Sequence, residues 1–508
     1  MIVSLSPCKG GIFSYNCAMN RLFNLWLLLL LLLLLLLSSC HKSDPLDYKI
    51  RSLEKWDSIQ KISRDITGLA SPLTEGRLSG SEGFDRAAEY AAFQFQEAGL
   101  FPAPFLDHYY QYFSLKAPSP APSPQVSLGR TSLKLGRDYV VALTSEGASL
   151  RRVPLIFVGY GLAEGVSSDN EYLNCDVTGK VVLLLRHLPP ELRSRYPKYS
   201  IPAYRAYIAK NRGAHGVIFV DPAAETAAEC SNFSYIPPGL NLKNFPQLIA
   251  GRSFLMKILR QDGIDLIAVK NDIDRSRVHY PIELQSRLTL SFSMEWGKKR
   301  SMNIVGYLPA ASHVSNPKNF IFTAQLDGLG AQGQGLSYAG ALHNASGAVT
   351  LLNLARIISA APAENRKANI YFILLSGSEQ GYAGAAEITE TLFFDTYNTD
   401  AVISLNATGS SVPILHVEGG LDHPDLYRHV EESRDKLFPR LPLTVSEGSY
   451  GEGQFFRALG IPALYIMGDS YDVRNTLVDI PALIDEAAIT RNTRILFFAF
   501  YDLLFEKT

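Results

Sequence analysis

The sequence predicts an α/β protein: a three-layer sandwich with a mostly parallel central sheet, accompanied by a small β-rich module. Three observations predict it. From Asn303 onward, short apolar runs such as "NFIFTA", "NIYFILLS" and "AVISLN" alternate with helical patterns such as "AVTLLNLARII", the order expected of βαβ units. Between residues 125 and 289, apolar runs are bounded by glycine and turn residues, which marks a separate β-rich segment. The 508 residues are 47% hydrophobic and 19% charged, enough apolar material for two or three cores. The 48 basic and 49 acidic residues leave a net charge of -1, so no global field favours nucleic acid and none is expected as a partner.

The N-terminus carries an almost pure leucine run, Leu25 to Leu37, that ends in "LSSC" at Cys40. It is shorter than the roughly 20 apolar residues a spanning helix needs, and small residues precede the cysteine as at a cleavage site. Residues 1–39 are therefore expected to be a signal peptide, with an uncleaved anchor helix as the alternative. "MNRLFNLW", from Met19, already supplies a short basic region ahead of the leucines, so Met1 and Met19 are both candidate starts. The segment resembles a bacterial lipoprotein signal with Leu37 to Cys40 as its lipobox. That resemblance implies acylation of Cys40 and a lipid anchor in the cell envelope, at the outer membrane or facing the periplasm. Cys175 and Cys230 are then either a disulfide pair or two buried thiols.

Residues 40–124 open the folded part. In "LTEGRLSGSEGFDRAAEYAAFQFQEAGLFP" a glycine-rich loop precedes a helix with Ala88, Ala91, Phe95 and Ala98 at helical spacing and Gly99 placed to end it. "KAPSPAPSPQ", residues 116–125, alternates proline with small residues and should be extended, as a domain boundary. In 125–289, "VPLIFVGYGL" and "GKVVLLLR" read as strands, and "AYIAKNRGAHGVIFVDP" as helix, glycine turn and strand. Residues 290–508 hold the alternating series, which closes with "IPALYIMG" and the helix "ALIDEAAITRNTRILFFAFYDLL". Sites in such sheets lie at the carboxyl ends of strands. Gln325, Asp327, Ser378, Glu379 and Asn406 fall there.

The order of "EGRLSGSEGFDRAAEYAAFQFQEAGL", "NIVGYLP", "AQLDGLG", "GALHNASGAVTLLNLAR", "LLSGSEQGYAGA", "ISLNATG" and "LGIPALYIMG" resembles the secreted zinc aminopeptidases, whose relatives include glutamate carboxypeptidase and glutaminyl cyclase. "VGYGL", "DVTGKVVLLLR" and "RGAHGVIFVDP" resemble the protease-associated module that many members carry, here 125–289. The likeness covers nearly the whole chain after the signal. It implies a site in which two zinc ions activate one water, with a glutamate as general base.

Each position of that site can be located. The first histidine ligand, in an "HxD" motif, is Gln325, whereas Asp327, which would orient it, is present. The bridging carboxylate is His343, whose neutral ring offers one free lone pair and so cannot readily serve two metals. The general base is Ser378, a hydroxyl that is not basic near neutral pH, and the ligand beside it is Glu379. Nor does Ser378 sit in a nucleophile elbow. The next aspartate is Asn406, and the final histidine has Asp472 as its nearest counterpart. Glu452 falls near the substrate pocket. These changes remove anionic and imidazole donors together, so no dinuclear centre is expected. Loss of the base alone costs about 10²–10⁴-fold in rate. The sequence thus points to an inactive family member, lipid-anchored, that binds a peptide or protein. The alternative is an aminopeptidase or glutaminyl-cyclase-like enzyme with a single zinc on His343 and Glu379.

Overall fold

Strands that are apolar on both faces form the centre of the main sheet. The computed structural model describes residues 59–506 apart from 105, 120–122, 165–169, 277–280, 392–394, 449–450 and 471. The leucine run, Cys40 and both candidate starts lie outside the described residues. Among the described residues, no helix is long and apolar enough to cross a membrane.

Eight strands of the main sheet are β1 (Tyr110–Pro118), β2 (Trp296–Leu308), β3 (Lys318–Gln325), β4 (Ala368–Leu375), β5 (Thr399–Asn406), β6 (Leu415–Glu418), β7 (Leu443–Ser446) and β8 (Ala463–Met467). Their order is β2-β4-β3-β5-β8-β6-β7, with β1 and the short strand Phe101–Pro102 also paired to β2. β4, β3, β5 and β8 run parallel, as the βαβ pattern requires. The pairs of β2 and the β8–β6 pair are antiparallel, so the sheet is parallel at its centre and mixed towards its edges. β3 is buried from Asn319 to Gln325, which is why its sequence reads as a continuous apolar run.

Alternation along these strands separates two helical layers. Ile321, Ile373 and Val402 pack against Ala385 and Ile388 of α4 (Ala383–Thr391) and Phe456 of α5 (Gly453–Ala458). Phe320 and Phe322, next to Ile321 on either side, meet Phe500 of α6 (Glu486–Leu504), with ring centroids 5.2 and 6.1 Å apart. On this second face α6 also packs beside α3 (Ser346–Ser359), with α1 (Ile59–Ala70) and α2 (Glu82–Glu97) nearby. Ser81 caps α2 by accepting the Phe84 N–H, and Gly99 follows it with φ +76°, the left-handed turn its position suggested.

A second sheet is drawn from 125–292, and its strands Ala148–Phe157, Val181–Leu185, Gly216–Val220 and Gln247–Ala250 run parallel to one another. Helices cover both faces of this sheet: Ala203, Ala206 and Ala209 pack on one side, Phe254, Leu255 and Ile258 on the other. It is thus more helical than its apolar runs suggested. The hairpin Gly330–Tyr338 ties it to the main sheet, for Tyr338 enters the core of the second sheet and Gln332 bonds the Val141 backbone through both ends of its amide. Both sheets belong to one compact unit. Cys175 and Cys230 are free thiols, not a disulfide.

Helices α1, α2 and α3 meet at a buried ion pair. Arg356 of α3 grips Asp65 of α1 with two bonds of 2.5 and 3.0 Å, and donates to Gln94 of α2 at 2.7 Å. Removing one partner strands a buried charge. Arg356→Met should therefore lower the unfolding free energy by about 3–5 kcal/mol, and Arg356→Met with Asp65→Leu should recover part of that loss, as urea-unfolding midpoints would report.

Candidate functional site

The register of the parallel strands sets the site residues level with one another. Gln325 of β3 pairs with Leu375 of β4, and Ala324 pairs with Leu405, so Gln325 and Asn406 stand side by side. Ser378 and Glu379 follow β4 through Gly377, whose φ of +69° turns the chain back over the strand ends. The loop from Gly340 brings in His343. It reaches this far because Gly347, at the start of α3, lies where a Cβ would come within 2.5 Å of the Leu405 carbonyl. The "NASG" stretch is thus a close approach of helix to strand.

The side chains at the strand ends bond one another. Gln325 Nε2 donates to Glu452 Oε2 at 2.9 Å, and Gln325 Oε1 accepts from Asn406 Nδ2 at 3.2 Å. The same Nδ2 donates to Asn344 Oδ1 at 3.2 Å and lies 3.3 Å from His343 Nε2. An amide donor facing Nε2 makes that nitrogen the acceptor and leaves the ring proton on Nδ1, which has no partner among the described residues. Burial, then the positive Arg474, hold His343 well below the usual imidazole range, so the ring is neutral.

Asp327, fully buried, accepts from Ser79 Oγ at 2.9 Å, the Ser378 N–H at 3.1 Å and Ser378 Oγ at 2.5 Å. Burial, with Glu379 nearby, pushes its carboxyl up to about 7 despite those donors. Glu379 is partly buried, and its Oε2 accepts from Asn475 Nδ2 at 3.4 Å. Burial raises its carboxyl and Arg474 pulls it back. Glu452 is fully buried as well, beneath Gln325 and 3.4 Å from Thr323 Oγ1, and burial raises it too. Gln325, Asp327, His343, Ser378, Glu379, Asn406 and Glu452 are therefore linked in a small region. Asp472 is exposed, and from its stretch Arg474 and Asn475 are the residues that act on Glu379. Among the described residues, no three His, Cys, Asp or Glu side chains are grouped so as to hold a metal ion.

Two further residues build the site without having stood out in the sequence. Arg77, in the glycine-rich "EGRLSG", is fully buried and donates to the carbonyls of Leu326 (2.8 Å), Leu69 (2.6 Å), Ala339 (2.7 Å) and Gly340 (2.9 Å). Burial lowers its guanidinium to about 10, against the pull of Asp327 and Asp479. Asp479 accepts the Leu342 N–H at 2.7 Å and the His343 N–H at 3.0 Å, fixing the loop. A lone arginine among glycines hinted at the first. Nothing local marked the second, which lies 136 residues along the chain from His343.

Residues 303–498 match the family model for peptidase family M28. The whole fold is also similar to solved structures. One is a peptidase M28 precursor from Shewanella amazonensis, at TM-score 0.62 and 15% identity, covering 89% of this chain and 97% of that one. Another is an aminopeptidase from Aneurinibacillus sp. strain AM-1, at TM-score 0.60 and 17% identity, with 89% and 95% covered. A third is a zinc aminopeptidase from Bacillus subtilis, at TM-score 0.59 and 17% identity, with 89% and 96% covered. No curated protein matches the sequence significantly. At these identities the likeness to solved structures establishes the fold alone, and the likeness to the M28 family model is confined to residues 303–498.

Burial raises Asp479 to about 6, so the folded chain holds this proton more tightly than the unfolded chain does. Its contribution is fully favourable below about pH 4 and is lost as pH rises through about 6. In Asp479→Asn this titration is gone. The difference in unfolding free energy between variant and parent should therefore shift towards the variant from pH 4 to pH 7, by up to roughly 3 kcal/mol. Urea midpoints at several pH values would measure it, and a constant difference would refute the assignment.

Proposed function

We propose that this chain is a lipid-anchored protein of the cell envelope with an M28 peptidase fold, that its metal centre has been lost, and that it binds a peptide or protein. The observation that carries the reading is the set of bonds that joins Gln325, Asn406, Glu452 and His343 to one another. Side chains that would face metal ions in an active relative face one another here.

The donor chemistry agrees with this. Carboxamide oxygens at Gln325 and Asn406 are weak zinc donors compared with imidazole and carboxylate. His343 stands where one group must serve two ions, and its Nε2 already takes an amide contact. Ser378 gives its hydroxyl proton to Asp327, so it has neither the basicity nor the free lone-pair direction of a general base. Two zinc ions do not fit this set, and no hydrolytic step is derived through them. Residues 125–289, with their own sheet, are read as a protease-associated module, and the signal-like N-terminus as the anchor at Cys40.

One observation favours a second reading. The Nδ1 of His343 is buried without a partner among the described residues, and in the other tautomer its lone pair is free for a single metal, with Glu379 as a further ligand. Arg474, whose charge acts on both His343 and Glu379, counts against a cation between them.

Metal analysis of protein purified under zinc-replete conditions should find substoichiometric zinc and no release of amino acid from aminoacyl p-nitroanilides. Two equivalents of zinc with turnover would refute the lost centre. One equivalent, with activity abolished by His343→Ala, would establish the single-metal enzyme instead. Restoring the donors together through Gln325→His, His343→Asp, Ser378→Glu and Asn406→Asp should raise zinc content towards two equivalents, which the same analysis would read.

A further inference from the structure

We propose that the outer side of α1 and α2 lies on the lipid surface to which the chain is tethered, with Ile59, Leu73, Phe93, Ile480 and Leu483 entering the headgroup boundary. The proposal rests on the lipid-anchored reading above and names the face that meets the bilayer.

These five apolar side chains are between 40% and 76% exposed, and they border one surface. A shallow groove beside α1 is lined by Ile59, by Tyr90 of α2 and by Glu486 at the start of α6. Tyr90 donates to Asp65 of α1 at 2.8 Å, and its ring lies over Gly68, where a Cβ would come within 2.5 Å of it. Phe93 stands three residues after Tyr90 and Arg86 four before it, so the three share a side of α2. Arg86 Nε donates to the Leu73 carbonyl at 2.6 Å, which draws Leu73, just past the end of α1, to that same side. The turn from Ile480 to Leu483 packs beside α1 and ends shortly before Glu486. The Leu483 N–H closes the turn on the Ile480 carbonyl at 3.0 Å, and Pro481 and Ala482 between them are exposed as well. Ile480 directly follows Asp479, so the turn adjoins the acid that holds the His343 loop.

Single exposed apolar residues are ordinary, but several on one side call for an occupant. The tether decides which. Residues 41 to 58, eighteen in all, separate Cys40 from Ile59. A flexible chain of that length spans about 25 Å, whereas a compact body of roughly 450 residues has a radius of gyration of about 22 Å and is roughly 55 Å across. With Cys40 acylated in a bilayer, the side around Ile59 is held within reach of the lipid, and the far side reaches it only by stretching the tether. Leucine, isoleucine and phenylalanine are the side chains that enter the boundary between headgroups and acyl chains. Charge on this side does not oppose contact: Arg86 lies 3.4 Å from Glu75 and 3.7 Å from Glu82, and Arg64 is exposed in the groove, where a lipid phosphate can meet it.

The full chain is reconstituted into vesicles of phosphatidylcholine and phosphatidylglycerol, with the phosphatidylcholine acyl chains either brominated or plain, and flotation shows whether the protein is on them. Bromine quenches an indole only at close range. Leu483→Trp and Phe93→Trp each add one indole to the parent's own tryptophans, and Leu459→Trp adds one at a leucine 41% exposed that follows α5, on the other face of the main sheet. The emission added by Leu483→Trp and by Phe93→Trp should fall about twofold or more in brominated vesicles, and that added by Leu459→Trp should not change. Ile480→Ser with Leu483→Ser, made in the Phe93→Trp protein, should relieve its quenching. Circular dichroism shows that each variant is folded. Flotation with Leu483→Trp and Phe93→Trp no more quenched than Leu459→Trp overturns the docking face and leaves the anchor standing. A parent that does not float overturns both, since the tether that selects the face is then absent. An added indole at 483 shielded from aqueous iodide yet untouched by bromolipid would assign the face to a protein, a second copy of this chain included, and likewise overturn the proposal.

Discussion

A polar side chain at the end of a buried strand must find a partner in the protein, because water does not reach it. Gln325 and Asn406 are in that position, 4% and 0% exposed, at the carboxyl ends of adjacent parallel strands. Where carboxylate and imidazole ligands would share divalent cations, two carboxamides instead share protons and lone pairs with each other, with Glu452 and with His343. A carboxamide carries both donor and acceptor, so amides can bond one another without a central ion, as the Gln325 and Asn406 amides do, although Asn406 Oδ1 has no partner among the described residues. Carboxylates in the same places would repel one another and need such an ion. Against the ligand set that the resemblance implies, the residues at 343, 378 and 406 each stand in place of a carboxylate and Gln325 in place of an imidazole, and Gln325, His343 and Asn406 are in contact here.

Two arginines act on the acids and the histidine around this cluster. Arg77, fully buried, faces Asp327 and Asp479 from beneath and holds four backbone carbonyls, so it serves as a structural cation for both acids and for the loop that bears His343. Arg474, on the open side, acts on His343 and Glu379. A guanidinium stays charged even when burial lowers it to about 10, as for Arg77, which is why a fixed positive charge here does not require a bound ion.

The sequence displayed the fold because its strands are apolar on both faces and its helices are amphipathic, and those periodicities survive however the site is altered. "NFIFTA" and "AVISLN" became neighbouring parallel strands, and the positions after them converged as strand-end residues must. Less legible were features that depend on contacts distant along the chain. Asp479 holds the His343 loop by accepting two backbone N–H groups, a role with no local pattern, and Arg77 was camouflaged by the glycines that let the backbone wrap around it. Asp472 was the nearest residue by alignment to a missing histidine. One tight turn decides which side chain of "YDVRN" reaches inward, and a turn's geometry is not written in residue spacing. The antiparallel edges of the main sheet were likewise invisible, since an apolar run is the same whichever way its partner runs.

The link between the two sheets gives the site its limits. Tyr338 accepts a 2.7 Å bond from Asn232 within the core of the second sheet, and the Asn232 N–H in turn donates at 2.7 Å to the carbonyl of Asn475, the residue whose side chain contacts Glu379. The Leu477 N–H donates to the Ala228 carbonyl, and Ser234 holds the Glu379 carbonyl. Residues 228–234 therefore bridge the loops on both sides of Glu379, and the loop that follows them cannot move far without loosening these bonds. Residues 228–234 and the loops that bear Glu379 and Asn475 are thus coupled through hydrogen bonds to backbone carbonyls. A loop linked to a partner by several buried bonds resists opening more than one linked by side-chain packing alone.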